Sequence, residues 1–230
     1  MPTGEGARPA VAAIVFDFDG VILDSEEPEF LAWQEIWAEA GLELSVDEWG
    51  ACIGGGYAAT TFDPYAELVR RAASPLAEDE LRARKRARAN QLLLARPALA
   101  GVRAWLEEAT EAGFGLAVAS SSPRRWVEPH LERLGLSHYF GALSCSDDCG
   151  AQKPDPASYV LACRLLGVAP AEALAVEDSL NGLRAARAAG ARCLVVPNAM
   201  TAHMDFSEAD MVLTSLEEAG PVEVAGRLST

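Results

Sequence analysis

"FDFDGVILDS", residues 16–25, decides how the rest of the chain is read. The run before it, Val11 to Phe16, is β-branched and apolar with no charge, as in a strand covered on both faces. Three carboxylates then follow: Asp17, Asp19 and Asp24. Aspartate is a poor strand former, so something other than the strand calls for these acids. If the strand persists to Asp19, Asp17 and Asp19 share one side, and Phe16 and Phe18 take the other. Two carboxylates side by side repel unless a cation joins them. A hard dication with oxygen ligands is the natural partner, and Mg2+ is the usual one beside phosphates.

Outward from this stretch, further apolar runs read as buried parallel strands: "FGLAVAS" (114–120), "ALAVE" (173–177) and "RCLVVP" (192–197), with "GALSC" (141–145) and "DMVLT" (210–214) weaker. Helical patterns separate them. "GVRAWLEEATEAG" (101–113) ends on a glycine stop, and "SPRRWVEPHLERLG" (122–135) opens with Ser122 as cap and Pro123 in its first turn. "DPASYVLACRLLG" (155–167) opens with Asp155 and Pro156, and "SLNGLRAARAAG" (179–190) follows a strand directly. The alternation predicts an α/β fold with a doubly wound, Rossmann-like parallel sheet. Residues 25–97 instead carry helical patterns without a convincing strand. The expected organisation is a core of residues 10–24 and 98–220, with 25–97 as an inserted all-helical cap domain. An insert at that point suits a lid over a site at the strand's C-terminal end.

Three other strand ends carry fitting groups. Ser120, Ser121 and Ser122 lead into a helix, where hydroxyls and backbone N–H groups make an anion site. Lys153 in "AQKPDP" (151–156) precedes another helix between two prolines. Glu177 and Asp178 in "AVEDSLNG" (175–182) end an apolar strand and would add oxygens for a Mg2+ ion. Each has a bland alternative, as a helix cap, a solvated lysine or a loop acid. Four such ends in one chain are much harder to assign to chance.

Composition sets outer bounds. The chain has 230 residues, half of them apolar, with a net charge of −15 from 19 Lys+Arg against 34 Asp+Glu. That balance argues against nucleic acid and anionic membrane as partners. It leaves room for a small anionic substrate, because one local cation reverses the field in a cleft. Five cysteines fit no disulfide framework, and the pair Cys145 and Cys149 lacks the second pair a zinc site requires. Reduced thiols in a cytoplasmic protein are expected. No segment resembles a signal peptide or approaches the roughly 20 apolar residues of a membrane span.

The set "DFDGV", "ASSS", "KPDP" and "EDSxxG", in this order, resembles the haloacid dehalogenase superfamily, and within it the branch of β-phosphoglucomutase and small-metabolite phosphatases with a helical cap. The resemblance covers about residues 10–215. It implies that Asp17 is a nucleophile forming an aspartyl-phosphate and that Asp19 is the general acid/base. It further implies Mg2+ held by the Asp17 carboxylate, the Asp19 backbone carbonyl and Asp178, with Glu177 a ligand directly or through water. Ser120, assisted by Ser121, would bind the phosphoryl oxygens, and Lys153 would offset charge on Asp17 and phosphate. Asp24 and Ser25 read as structural, supplying local hydrogen bonds and a helix N-cap.

The implied activity is a Mg2+-dependent phosphatase of small phosphorylated metabolites, sugar phosphates among them, acting as a monomer. The alternative is a sugar phosphomutase. Mutases of this branch carry histidine where Glu29 stands here and an arginine on a cap loop, whereas "IGGGYAATT" (53–61) has three glycines, read as a turn, and no arginine. A dehalogenase would not use the second aspartate, and a receiver domain would be shorter and lack the insert. "RARKRAR" (82–88) reads as a solvated helix face, with Arg84, Lys85 or Arg88 as candidates to meet a substrate anion. Trp33, Trp37 and Trp49 read as packing in the helical insert.

Overall fold

A computed structural model of the chain describes residues 10–50, 62–72 and 77–229. The glycine-rich stretch 53–61, Cys52 and the polar N-terminus before residue 10 lie outside the described residues.

Six strands form one parallel sheet: β1 (Ala13–Phe16), β2 (Gly115–Ala119), β3 (Ala142–Ser144), β4 (Ala173–Glu177), β5 (Arg192–Val195) and β6 (Met211–Val212), in the order β3-β2-β1-β4-β5-β6. β1 pairs with β2 through Val15↔Ala117 and with β4 through Val15↔Ala175. The order reverses between these two neighbours. Beyond the strand ends at such a switch point an open α/β sheet binds its ligands.

Helices α5 (Val102–Glu111), α6 (Arg124–Leu134), α7 (Ser146–Cys149), α8 (Ala157–Leu166), α9 (Leu180–Ala189) and α10 (Pro221–Leu228) complete this α/β fold. Strand alternation sorts the two faces of β1. Val15 packs with Ala117, Ala175, Tyr159, Ala162 and Leu183. Phe16 meets the rings of Trp105 and Phe140 edge-on, with centroids 6.3 and 6.2 Å away. Because both faces are covered, the strands are mostly apolar, with polar residues only at their ends: Ser144 in β3, Glu177 in β4 and Arg192 in β5.

The chain divides into two compact units. The first holds the described parts of Met1–Leu23, Ala98–Asn198 and Met204–Thr230, and the second Asp24–Pro97 with Ala199–His203. The second unit contains α1 (Glu26–Glu39), α2 (Val46–Gly50), α3 (Pro64–Ala72) and α4 (Glu78–Leu94), and no strand among its described residues. Trp33, Trp37 and Trp49 sit with Phe30, Leu68 and Met200 in its buried cluster. No helix among the described residues is long and apolar enough to cross a membrane.

Three local expectations are corrected. β1 stops at Phe16, so strand alternation does not carry Asp17 and Asp19 to one side. The chain turns instead: Ile22 N donates to Phe18 O at 3.0 Å and Gly20 N to Leu23 O at 2.8 Å. Ser122 does not cap α6, whose N-cap position is Pro123. The first turn is held from α7, where Asp147 Oδ1 accepts from Arg124 N at 2.9 Å. That carboxylate completes the turn and leaves the Ser122 hydroxyl for another partner. Similarly, Asp24 rather than the Ser25 side chain serves α1, accepting from Glu27 N at 3.1 Å.

Candidate active site

Asp17 stands just past β1, its backbone N–H still donating to Val176 O at 2.9 Å, and its side chain is almost buried. Lys153 reaches it from the loop before α8, just ahead of a cis Lys153–Pro154 peptide bond. The Lys153 ammonium lies 2.8 Å from Asp17 Oδ1 and 2.5 Å from Glu177 Oε1. Its backbone N–H donates to Ser121 Oγ at 3.1 Å. Ser121 therefore helps hold the lysine loop, a contact that spacing alone does not suggest.

Glu177 is fully buried at the end of β4. Besides Lys153, its carboxylate accepts from the Tyr159 hydroxyl at 2.5 Å and the Ser179 hydroxyl at 3.3 Å. Tyr159 also lays its ring 4.9 Å from the Lys153 ammonium, a cation–π distance. Ser179 caps α9, accepting from Gly182 N at 3.1 Å. Gly182 is required for space: a Cβ there would lie 1.8 Å from the Glu177 carboxyl carbon. Gly20 has the same role for Asp178, since a Cβ would fall 2.1 Å from its Oδ2, and its φ of +86° suits glycine as well. Asn198 Nδ2 donates to that oxygen at 2.7 Å.

Asp17, Glu177 and Asp178 thus offer carboxylate oxygens within 4.8 Å of one another, all buried. Burial pushes the Asp17 carboxyl up to about 7, the lowering effect of Lys153 notwithstanding, with Glu177 and Asp19 adding to the rise. Burial alone would lower the Lys153 ammonium, but Asp17 and Glu177 overturn that and hold it above its ordinary value. The Tyr159 hydroxyl is pushed well up by burial and by Glu177, so it stays a donor. Three buried carboxylates against one ammonium leave negative charge to neutralise, and their oxygens suit a hard divalent cation. The two glycine cradles keep Glu177 and Asp178 in place, so the residues present fit such an ion.

Asp19 has a different setting. Its Oδ2 accepts from the Ser122 hydroxyl at 2.6 Å and its Oδ1 from the Trp126 indole N–H at 3.0 Å. Ser120, fully buried, accepts from Ser122 N at 2.9 Å. The four strand ends therefore meet at one end of the sheet. The sequence reading does not single out Tyr159, Trp126 or Asn198. A faint signal exists for the first two, an aromatic in the opening turn of a helix that follows a candidate residue.

A second group, Cys145 with Asp147 and Asp148, has metal-like spacing. Its acids are already engaged: Asp148 Oδ2 accepts from Arg124 at 2.7 Å and from Cys145 N at 2.9 Å. Burial pushes the Cys145 thiol up to about 12, which keeps it protonated. Cys145, Cys149, Cys163 and Cys193 are free thiols.

This arrangement and fold define a class. A model of the haloacid dehalogenase-like hydrolase family matches residues 11–190, and the chain belongs to that family. YhcW of Bacillus subtilis (strain 168) is 40% identical over 208 residues, covering 90% of this chain and 93% of that protein. Hexitol phosphatase B of Escherichia coli (strain K12) is 33% identical over 222 residues, covering 94% and 97%. Among solved structures, a HAD family hydrolase from Deinococcus radiodurans R1 with bound phosphate and sodium aligns with a TM-score of 0.79 and 29% identity, covering 94% of this chain and 97% of that one.

Proposed function

We propose that the chain is a Mg2+-dependent phosphatase of small phosphorylated metabolites, sugar phosphates first among them, working through an aspartyl-phosphate on Asp17. One observation carries this reading: two neighbouring carboxylates have opposite settings. Asp17 is buried against the Lys153 ammonium, and Asp19 is held by two neutral donors. The first setting suits attack on an anionic phosphoryl group, and the second suits proton transfer. The relatives named for phosphatase activity and the homologue with bound phosphate support it.

The Asp17 carboxylate attacks phosphorus, a P–O bond to Asp17 forms, and the ester P–O bond breaks. Asp19 gives its proton to the departing oxygen. Water then attacks the same phosphorus while Asp19 takes one of its protons. The bond between the Asp17 oxygen and phosphorus breaks, inorganic phosphate leaves, Asp17 is again a carboxylate and Asp19 again holds its proton. Lys153, steadied by Glu177 and Tyr159, offsets charge at Asp17 and the phosphoryl oxygens. Ser120 is assigned to the phosphoryl group, and Ser121 acts with it while holding the lysine loop.

Asp17, Asp178 and the Asp19 backbone carbonyl would hold the Mg2+ ion, which when bound neutralises the meeting of carboxylate and phosphate. Glu177 spends its oxygens on Lys153, Tyr159 and Ser179, so its contribution would come through water. The helical unit, inserted in sequence just after Asp19, is assigned to substrate selection. Glu29, where the mutases carry histidine, is engaged by Lys85, which favours the phosphatase over the mutase.

The test is phosphate release from a panel of sugar phosphates, comparing wild type and Asp17→Asn with Mg2+ or with chelator. Release by wild type alone, lost on chelation, is expected. Conversion of β-glucose 1-phosphate to glucose 6-phosphate without matching phosphate release would replace the phosphatase with a mutase.

A further inference from the structure

Asp19 is addressed by two donors of different kinds from the segment that opens α6. The Trp126 indole N–H can only donate, so the oxygen it meets, Oδ1, is an acceptor whatever the state of Asp19. The Ser122 hydroxyl can donate or accept, so the oxygen it meets, Oδ2, is where a proton can come and go without losing a hydrogen bond. The indole is itself well placed. Trp126 N donates to Pro123 O at 2.8 Å, and Asp147 fixes the same turn through Arg124 N. His130, one turn on, meets the Trp126 ring edge-on at 4.6 Å and in turn lies 6.3 Å from the ring of Phe18. Asp19 is therefore tied to α6 both directly and through its chain neighbour.

We propose that Trp126 is a positioning residue for the reaction. Its N–H locks the Asp19 carboxylate so that the oxygen shared with Ser122 delivers the proton to the leaving group. The inference rests on the phosphatase reading above. A capped, partly buried helix turn gives a fixed donor with little freedom to lose, and small misplacements of an acid are costly in rate. The role belongs to proton delivery, so it weighs on esters whose alcohol must be protonated to leave. It weighs less where the leaving group departs as a stable anion.

The experiment measures kcat/KM, which reports the steps up to loss of the leaving group, on two esters with wild type and Trp126→Phe. The esters are the best alkyl substrate of the sugar-phosphate panel and p-nitrophenyl phosphate. The expected result is a loss of about tenfold on the alkyl ester against about twofold on the aryl ester. Trp126 is only part-buried, so the variant is expected to fold. Benzothienylalanine at position 126, which keeps the ring shape and removes only the N–H, gives the same comparison without a packing change. Equal losses on both esters, or no loss on either, would overturn the proposal while leaving the phosphatase intact. Failure of the wild type itself to release phosphate from either ester would instead remove the reading on which it rests.

Discussion

The α/β unit and the helical unit use the same charged residue types to different ends. In the helical unit, α4 and α1 are laced by surface pairs: Arg84 with Glu39 at 2.6 Å and Arg88 with Glu35 at 2.8 Å. Both partners keep access to water, so each pair is screened and adds little to stability. In the α/β unit, Lys153, Asp17 and Glu177 are almost wholly out of water, and their charges govern one another. Burial, more than residue type or distance, separates a charge that decorates a helix from one that can do chemistry. Lys85 is the intermediate case, a buried ammonium on α4 paired with the partly exposed Glu29.

The comparison breaks first at Asp17. Asp17→Asn keeps the size of the side chain and removes the attacking oxygen, so phosphate release should fall by at least about a thousandfold in a steady-state assay. Lys153→Ala should cost about a hundredfold in kcat, measured on the same substrates, because the charge it offsets is buried. Wild-type rates from the lysine variant would place Lys153 with the surface lysines instead.

Stability sharpens the contrast. Lys85→Ala leaves Glu29 without its buried partner and should lower the melting temperature by about 3–6 °C. A smaller effect follows from Asp17 in metal-free protein. Its folded-state value of about 7 lies above the ordinary 3.8, so the folded state holds the proton more tightly. Between about pH 4 and 7 this group therefore takes stability away as pH rises. Asp17→Asn should melt close to wild type at pH 4 and a few degrees above it at pH 8, with Mg2+ narrowing the gap. A gap that shrinks as pH rises would reverse the assigned sign. Smallest of all, Arg88→Gln should leave the midpoint of urea unfolding essentially where it is in wild type.

Much of this was legible in the chain because periodicity is a local property. The apolar runs that became β1, β2, β4 and β5 need both faces covered, and the four chemistry-bearing segments sit at the ends of such runs. The short strands β3 and β6 were faint because three and two residues carry little pattern. The basic run 82–88 reads as a solvated face, and so it is at Arg84, but only packing shows that Lys85 turns inward.

The sequence by itself determined the order of strands and helices, the acids at the first strand's end and the membership those motifs imply, since each depends on residues close together in the chain. Tertiary structure alone decided the partners. Tyr159 braces Glu177 across 18 residues, Ser122 and Trp126 hold Asp19 across more than 100, and Gly20 clears space for Asp178. It also ended β1 at Phe16, ahead of both Asp17 and Asp19, so that a turn and not strand alternation sets their side chains. The physical reason is that hydrogen bonding and desolvation act over a few ångströms of space, and only the folded chain brings such distant residues within that range.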